Sequence, residues 1–192
     1  KRQDQLNGAE VLEYDPEEAK RLWAEADAIA PFNGEFTVSY NADGGHQAWV
    51  DAVTNSIRNT LGIEAVGNAY PDFKSLRDDV TKREIEGAFR TGWQADYPLL
   101  SNFLGPLYGT GAGSNDGDYS NPEFDQLLKK ANGAADAEAA VDDLNAAQEI
   151  LLQDLPAIPL WYSNLTGGYS EDVDNVVFGW NQVPLYYQIT KE

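Results

Sequence analysis

Gly87-Ala88-Phe89-Arg90-Thr91-Gly92-Trp93-Gln94-Ala95-Asp96-Tyr97-Pro98 reads as a β-strand running out into a turn. Phe89 and Arg90 alternate apolar and polar, Gly92 breaks the pattern, and Pro98 holds Tyr97 in extended geometry. A carboxylate beside two aromatic residues, where a strand ends, is where an open α/β sheet presents a ligand contact. Asp96 is therefore a candidate counterion for a cationic group, with Trp93 and Tyr97 expected to wall it off from water. The plainer reading of the same spacing makes Asp96 a turn former and the two rings core packing.

Upstream, the pattern predicts two further strands, each followed by a helix. Phe36, Val38 and Tyr40 alternate with Thr37 and Ser39, a strand at about 35–40, and Ile63 to Tyr70 forms the second. Between them, Asn41-Ala42-Asp43-Gly44-Gly45-His46 is a polar turn into a helix carrying Trp49, Val50, Val53, Ile57 and Leu61, stopped by Gly62. Pro71 opens a helix with Phe73, Leu76 and Val80 on its apolar side. Strand, helix, strand, helix, strand predicts a mainly parallel sheet. His46, the sole histidine, has no histidine partner and is expected to be solvated.

Ahead of this series, residues 1–14 look like a polar connector. Asp15-Pro16-Glu17-Glu18 is a capped helix start in which Glu18 completes a capping box, and Ala19, Leu22, Trp23, Ala26 and Ile29 then share one face. Beyond the turn, Gly109 to Asp118 invites a calcium reading, but its oxygen ligands do not fit the twelve-residue frame, and a flexible surface loop is expected. Asn121-Pro122-Glu123 starts a helix with Phe124, Leu127, Leu128 and Ala131 inward. A longer helix at about 136–154 carries Ala140, Leu144, Ala147, Ile150 and Leu151. Ile158, Leu160 and Tyr162 read as a strand, and the aromatic-rich chain from Val173 to Thr190 as extended and in need of a surface.

The 192 residues carry 32 acids against 13 bases, a net charge of −19. Few cations are available for phosphates, which argues against nucleic acid and against anionic membrane surfaces. With no cysteine, disulfides and thiolate metal sites are excluded. No apolar run approaches the roughly 20 residues of a membrane span. The chain contains no methionine and opens at Lys1, which points to a piece of something longer. No serine elbow, metal-spaced histidine set or phosphate loop marks an enzyme, and no cofactor is called for.

Several stretches, in this order, resemble the carboxy-terminal lobe of the extracellular solute-binding proteins of peptide ABC transporters. They are Tyr14 to Leu22, His46 to Gly62, Gly92 to Pro98 with Asn102-Phe103-Leu104, Tyr119 to Leu128, and Ile158-Pro159-Leu160-Trp161. The resemblance implies an α/β lobe of a periplasmic-binding-protein-like fold, of the class II, three-domain type, with a mainly parallel sheet flanked by helices. It implies that 1–171 form the ligand-binding lobe. The segment 172–192 would cross back to an amino-terminal lobe contributed by sequence upstream of Lys1. Asp96 matches the family aspartate that receives a peptide's α-amino group, and Trp93, Gln94 and Ala95 match residues lying along the peptide as along an added strand. Many relatives have a second Asp-Pro after Tyr97-Pro98, where this chain has Leu99-Leu100, so the branch stays open. The implied partners are a peptide and an ABC permease in the membrane. The implied place is the extracellular face of the membrane or the periplasm, with a lipid anchor upstream. The alternatives are an oligosaccharide stacked on Trp93, Trp161 and Trp180, a nickel chelate, or a stand-alone interaction module.

Overall fold

A computed structural model of the chain describes residues 5–191, so positions 1–4 of the expected connector and Glu192 of the tail lie outside the described residues. The chain forms two compact units. One is the continuous stretch Leu12–Gly92; the other comprises the remaining described residues on either side of it.

The Leu12–Gly92 unit is the strand–helix series. Its elements are α1 (Pro16–Ile29), β1 (Glu35–Asn41), α2 (Gln47–Leu61), β2 (Glu64–Tyr70), α3 (Phe73–Lys82) and β3 (Ala88–Phe89). The sheet order is β2-β1-β3 and both pairings are parallel, with Glu35 opposite Glu64, Asn41 opposite Tyr70, and Val38 opposite Ala88. Successive side chains of β1 point to opposite faces. Val38 and Tyr40 pack with Val50 of α2, bordered by Phe36, Trp49 and Ala88. Ser39 is fully buried, and its hydroxyl accepts a hydrogen bond from the Asn68 amide across to β2. Leu76 and Val80 bury the apolar side of α3, as their spacing predicts, while Phe73 is half exposed. Gly62 ends α2 in the left-handed conformation at φ 71°.

Two expectations for this unit are corrected. The strand expected at 87–93 pairs only over Ala88–Phe89, with Arg90 adding one amide bond to the Ser39 carbonyl. The apolar face expected of α1 is not buried: Leu22 is 51% and Ile29 86% exposed. The helix lies against α2 along its half-buried line Pro16, Ala19, Trp23 and Asp27, so Leu22, Ala26 and Ile29 ride on its flank.

The second unit is built on α4 (Ser101–Tyr108), α5 (Pro122–Asn132) and α6 (Ala137–Asp154). Its core is Leu104, Phe124, Leu128, Ala131, Ala140, Leu144 and Ala147. Phe124 is fully buried and meets the rings of Tyr119 and Tyr108 edge-on at 5.7 and 6.5 Å. Asn121 caps α5 by accepting from the Glu123 and Phe124 amides. The composition of Leu99–Leu104 gave no warning of α4, whose interior carries Pro106. Part of the supposed connector also belongs here: Leu6 is buried, and the Asn7 amide groups donate to Glu149 of α6.

The stretch 109–118 is not the loose loop its composition suggests. Asn115 is 4% exposed, and its side chain donates to the Gly109 and Tyr119 carbonyls and accepts from the Tyr119 amide. The strand expected at 158–162 is absent. Pro159 removes a ladder donor, no neighbouring strand pairs with it among the described residues, and Ile158, Leu160 and Tyr162 stay exposed. The tail makes a short antiparallel pair, β4 (Val173–Asp174) with β5 (Thr190–Lys191).

Candidate ligand-binding edge

Trp93, Gln94 and Ala95 run between the two units' boundary and α4 with no regular structure. Among the described residues, none of these three makes a backbone–backbone hydrogen bond. Their place is held by side chains. The Asn102 carboxamide oxygen, on the first turn of α4, accepts from the Asp96 amide at 2.9 Å and from the Trp93 indole at 3.4 Å. Its nitrogen donates to Asp96 Oδ2 at 3.3 Å. Tyr97 Oη and Ser101 Oγ lie 3.2 Å apart, and the Gln94 amide donates to the Asn181 carbonyl at 2.8 Å. Asn102 itself is 5% exposed.

The structure thus brings the sequence candidates Trp93, Gln94, Ala95, Asp96 and Tyr97 onto one short edge. It does not shield Asp96 as expected: the residue is exposed, and Trp93 and Tyr97 are 36% and 45% exposed. The reason is geometric. The two rings turn toward Asn102 and Ser101 rather than closing over the carboxylate. Asn102 was quoted in the sequence only as part of a matching run. No local signal singles it out, because neither the helix α4 nor the exposure of Asp96 was legible in the sequence.

In the Leu12–Gly92 unit, a second polar cluster gathers at the carboxyl ends of β1 and β3. Trp49 donates its indole proton to His46 Nδ1 at 3.0 Å, so the solvated histidine of the sequence reading is instead a neutral acceptor. Its ring leaves no room for a side chain at Gly44, where a Cβ would lie 2.5 Å from His46 Nε2. Burial and the neighbouring Arg90 push the His46 pKa down, with Asp43 opposing. Arg90 donates to Asn41 Oδ1 at 3.3 Å and lies 5.7 Å from the Phe73 ring centre. Desolvation lowers its pKa too. Elsewhere in this unit, a groove of about 630 Å³ has Phe32, Phe36 and Tyr70 as walls and Glu35, Glu84 and Glu86 at its rim. No group of three or more His, Asp or Glu among the described residues is arranged to hold a metal. No described helix is long and apolar enough to cross a membrane.

A family model, the bacterial extracellular solute-binding proteins, family 5 (middle), matches residues 2–115, more than half of the chain. The chain belongs to this family. Among curated family relatives, the dipeptide-binding protein DppE of Bacillus subtilis is 24% identical over 172 residues, covering 88% of this chain and 31% of DppE. The heme-binding protein A of Haemophilus influenzae is 30% identical over 157 residues, covering 78% of this chain and 28% of that protein. The solved pheromone receptor PrgZ superposes with a TM-score of 0.78 at 19% identity, over 95% of this chain and 35% of PrgZ, and so shares the fold. The family chain described here thus spans about a third or less of these relatives. Their names are those of binding proteins and a receptor, not of enzymes. The fold expected in the sequence, an α/β lobe with a parallel sheet flanked by helices, is the one found.

Proposed function

We propose that this chain is part of the substrate-binding component of an ABC importer, which captures peptides in a cleft between two lobes and delivers them to a membrane permease. The observation that carries the reading is the edge at Trp93–Ala95, whose main-chain groups have no backbone partner among the described residues, ending at an exposed aspartate. An extended peptide added there gains main-chain hydrogen bonds whatever its side chains, and its charged α-amine meets Asp96. Trp93, Gln94, Ala95 and Tyr97 line the added strand. A second lobe closing over the edge would supply the water exclusion that the two rings do not. Residues 1–171 then form the ligand lobe and 172–192 cross to its counterpart, a role in keeping with the exposed Trp180, Tyr186 and Tyr187. The protein works outside the cell membrane or in the periplasm, held there by an upstream lipid anchor.

The test is calorimetry on the whole protein as it is made, with free and N-acetylated peptides, oligosaccharides, nickel chelates and haem. Free peptides should bind. Asp96→Asn should weaken them by about ten- to a hundredfold, since a charge-assisted hydrogen bond contributes about 1.5–3 kcal/mol. Binding of sugar, nickel chelate or haem with none of peptide rejects the reading.

A further inference from the structure

We infer that Asn102 is the positioning residue of this edge: it aims the Asp96 carboxylate at the incoming amine and sets the Trp93 ring beside it. The inference rests on the reading of Asp96 given above. Three hydrogen bonds converge on one carboxamide, and they fix its orientation. Both the Asp96 amide and the Trp93 indole can only donate, so the group they meet must be the oxygen. The nitrogen is left to face Asp96 Oδ2 at 3.3 Å. One carboxylate oxygen of Asp96 is thereby occupied by a neutral donor, and Oδ1 is left for a ligand.

Burial makes the arrangement stiff. Asn102 is 5% exposed and Ser101 7%, so the first turn of α4 is anchored in its unit, while Asp96 and Tyr97 are exposed and Ala95 is half-buried. An exposed aspartate on an irregular segment would otherwise sample several rotamers. Tied through its amide and its Oδ2 to one buried side chain, it presents a single direction. Pre-organisation of this kind raises affinity by reducing what must be ordered on binding.

The experiment compares trialanine with N-acetyl-trialanine on the whole protein, unsubstituted and with Asn102→Ala. The quantity read is the ratio of their dissociation constants. If Asn102 aims the carboxylate at the amine, Asn102→Ala shrinks the ratio by about tenfold, the loss of one charge-assisted contact. If Asn102 only braces the turn, both peptides weaken alike and the ratio is unchanged, which overturns the inference. A second readout needs no ligand. The Asp96 amide donates to Asn102 at 2.9 Å, so Asn102→Ala should speed hydrogen exchange at that amide by about tenfold, the loss of one hydrogen bond, while leaving the Tyr119 amide of the same unit unchanged. An unchanged Asp96 rate overturns the inference whatever the ligand proves to be. Should acetylation and Asp96→Asn leave peptide affinity untouched, the amine reading fails, and the exchange rate then decides whether Asn102 holds Asp96 in place.

Discussion

Replacing Asn115 by alanine should destabilise the unit built on α4, α5 and α6 more than any surface loop substitution could. The side chain donates to the Gly109 carbonyl at 3.0 Å and the Tyr119 carbonyl at 2.7 Å, and accepts from the Tyr119 amide at 3.0 Å. Each bond contributes a net 0.5–1.5 kcal/mol, roughly, and an orphaned buried partner costs about 1–3 kcal/mol. Gly109 and Tyr119 are half-buried, so water reaches some of the freed groups and the lower part of the range applies. The expected loss is about 2–4 kcal/mol. Asn115→Asp should not rescue it, because aspartate can still accept from Tyr119 but turns an oxygen toward both carbonyls. Urea unfolding followed by circular dichroism gives the magnitude, and hydrogen exchange at the Tyr119 amide reports the loop itself. A loss below about 0.5 kcal/mol, with Tyr119 exchange unchanged, would show that Asn115 does not pin the loop.

Phe124→Ala should cost about 3–5 kcal/mol, the range for emptying a buried aromatic site, because Phe124 is fully buried against Tyr119 and Tyr108. Urea unfolding checks it, and a loss under about 1 kcal/mol would contradict the described core. Gly87→Ala should cost more than about 1 kcal/mol, since Gly87 has φ 77° and a new Cβ would sit 2.9 Å from the Thr37 carbonyl oxygen. The same unfolding assay would refute this by finding the variant as stable as its parent. His46, as the sole histidine, gives one Hε1 resonance, which should titrate below 6.5 and move upward in Arg90→Gln. Because the unfolded imidazole takes its proton first, stability should fall as pH drops from 6.5 to the folded midpoint and level off below it; a midpoint at or above 6.5 refutes the assignment.

The parallel sheet was legible because its signals are local. Alternation in Phe36–Tyr40 and the helical spacing of Leu76 and Val80 each lie within a few residues, and β1, β2 and α3 follow them. Caps were legible for the same reason: the Asp15 carboxylate takes the Glu17 and Glu18 amides, as its position ahead of Pro16 predicts. Glu18 does not close the capping box, because Arg21 takes its carboxylate instead. Long-range partnerships were not legible. Nothing near Asn115 tells that its amide will be enclosed by carbonyls on both sides, and glycines around it look like slack. Periodicity likewise shows that Leu22 and Ile29 share a face, but not whether anything covers it. The site falls between these cases. Asp96 and its neighbours could be chosen from strand exit and residue type, whereas the turn of the Trp93 and Tyr97 rings toward Asn102 and Ser101 depends on a helix whose sequence is unfavourable.

An edge that must accept another chain faces a conflict: main-chain groups bonded within the protein are unavailable, yet unbonded segments are normally loose. Here the conflict is resolved by using side chains as anchors. Gln94 is tied to the Asn181 carbonyl, Trp93 and Asp96 to Asn102, and Tyr97 to Ser101, while the backbone of 93–95 has no backbone partner among the described residues. Such a segment can be held in place before a ligand arrives, so less ordering is lost when main-chain pairing forms. If the edge takes peptides as proposed, it should tolerate varied ones, since an amine contact and main-chain pairing would use features all peptides share. The anchoring also separates this reading from its rivals. A sugar or a haem would need the faces of Trp93 and Tyr97, and Asn102 and Ser101 hold both rings by their polar ends, limiting how far either can turn to stack.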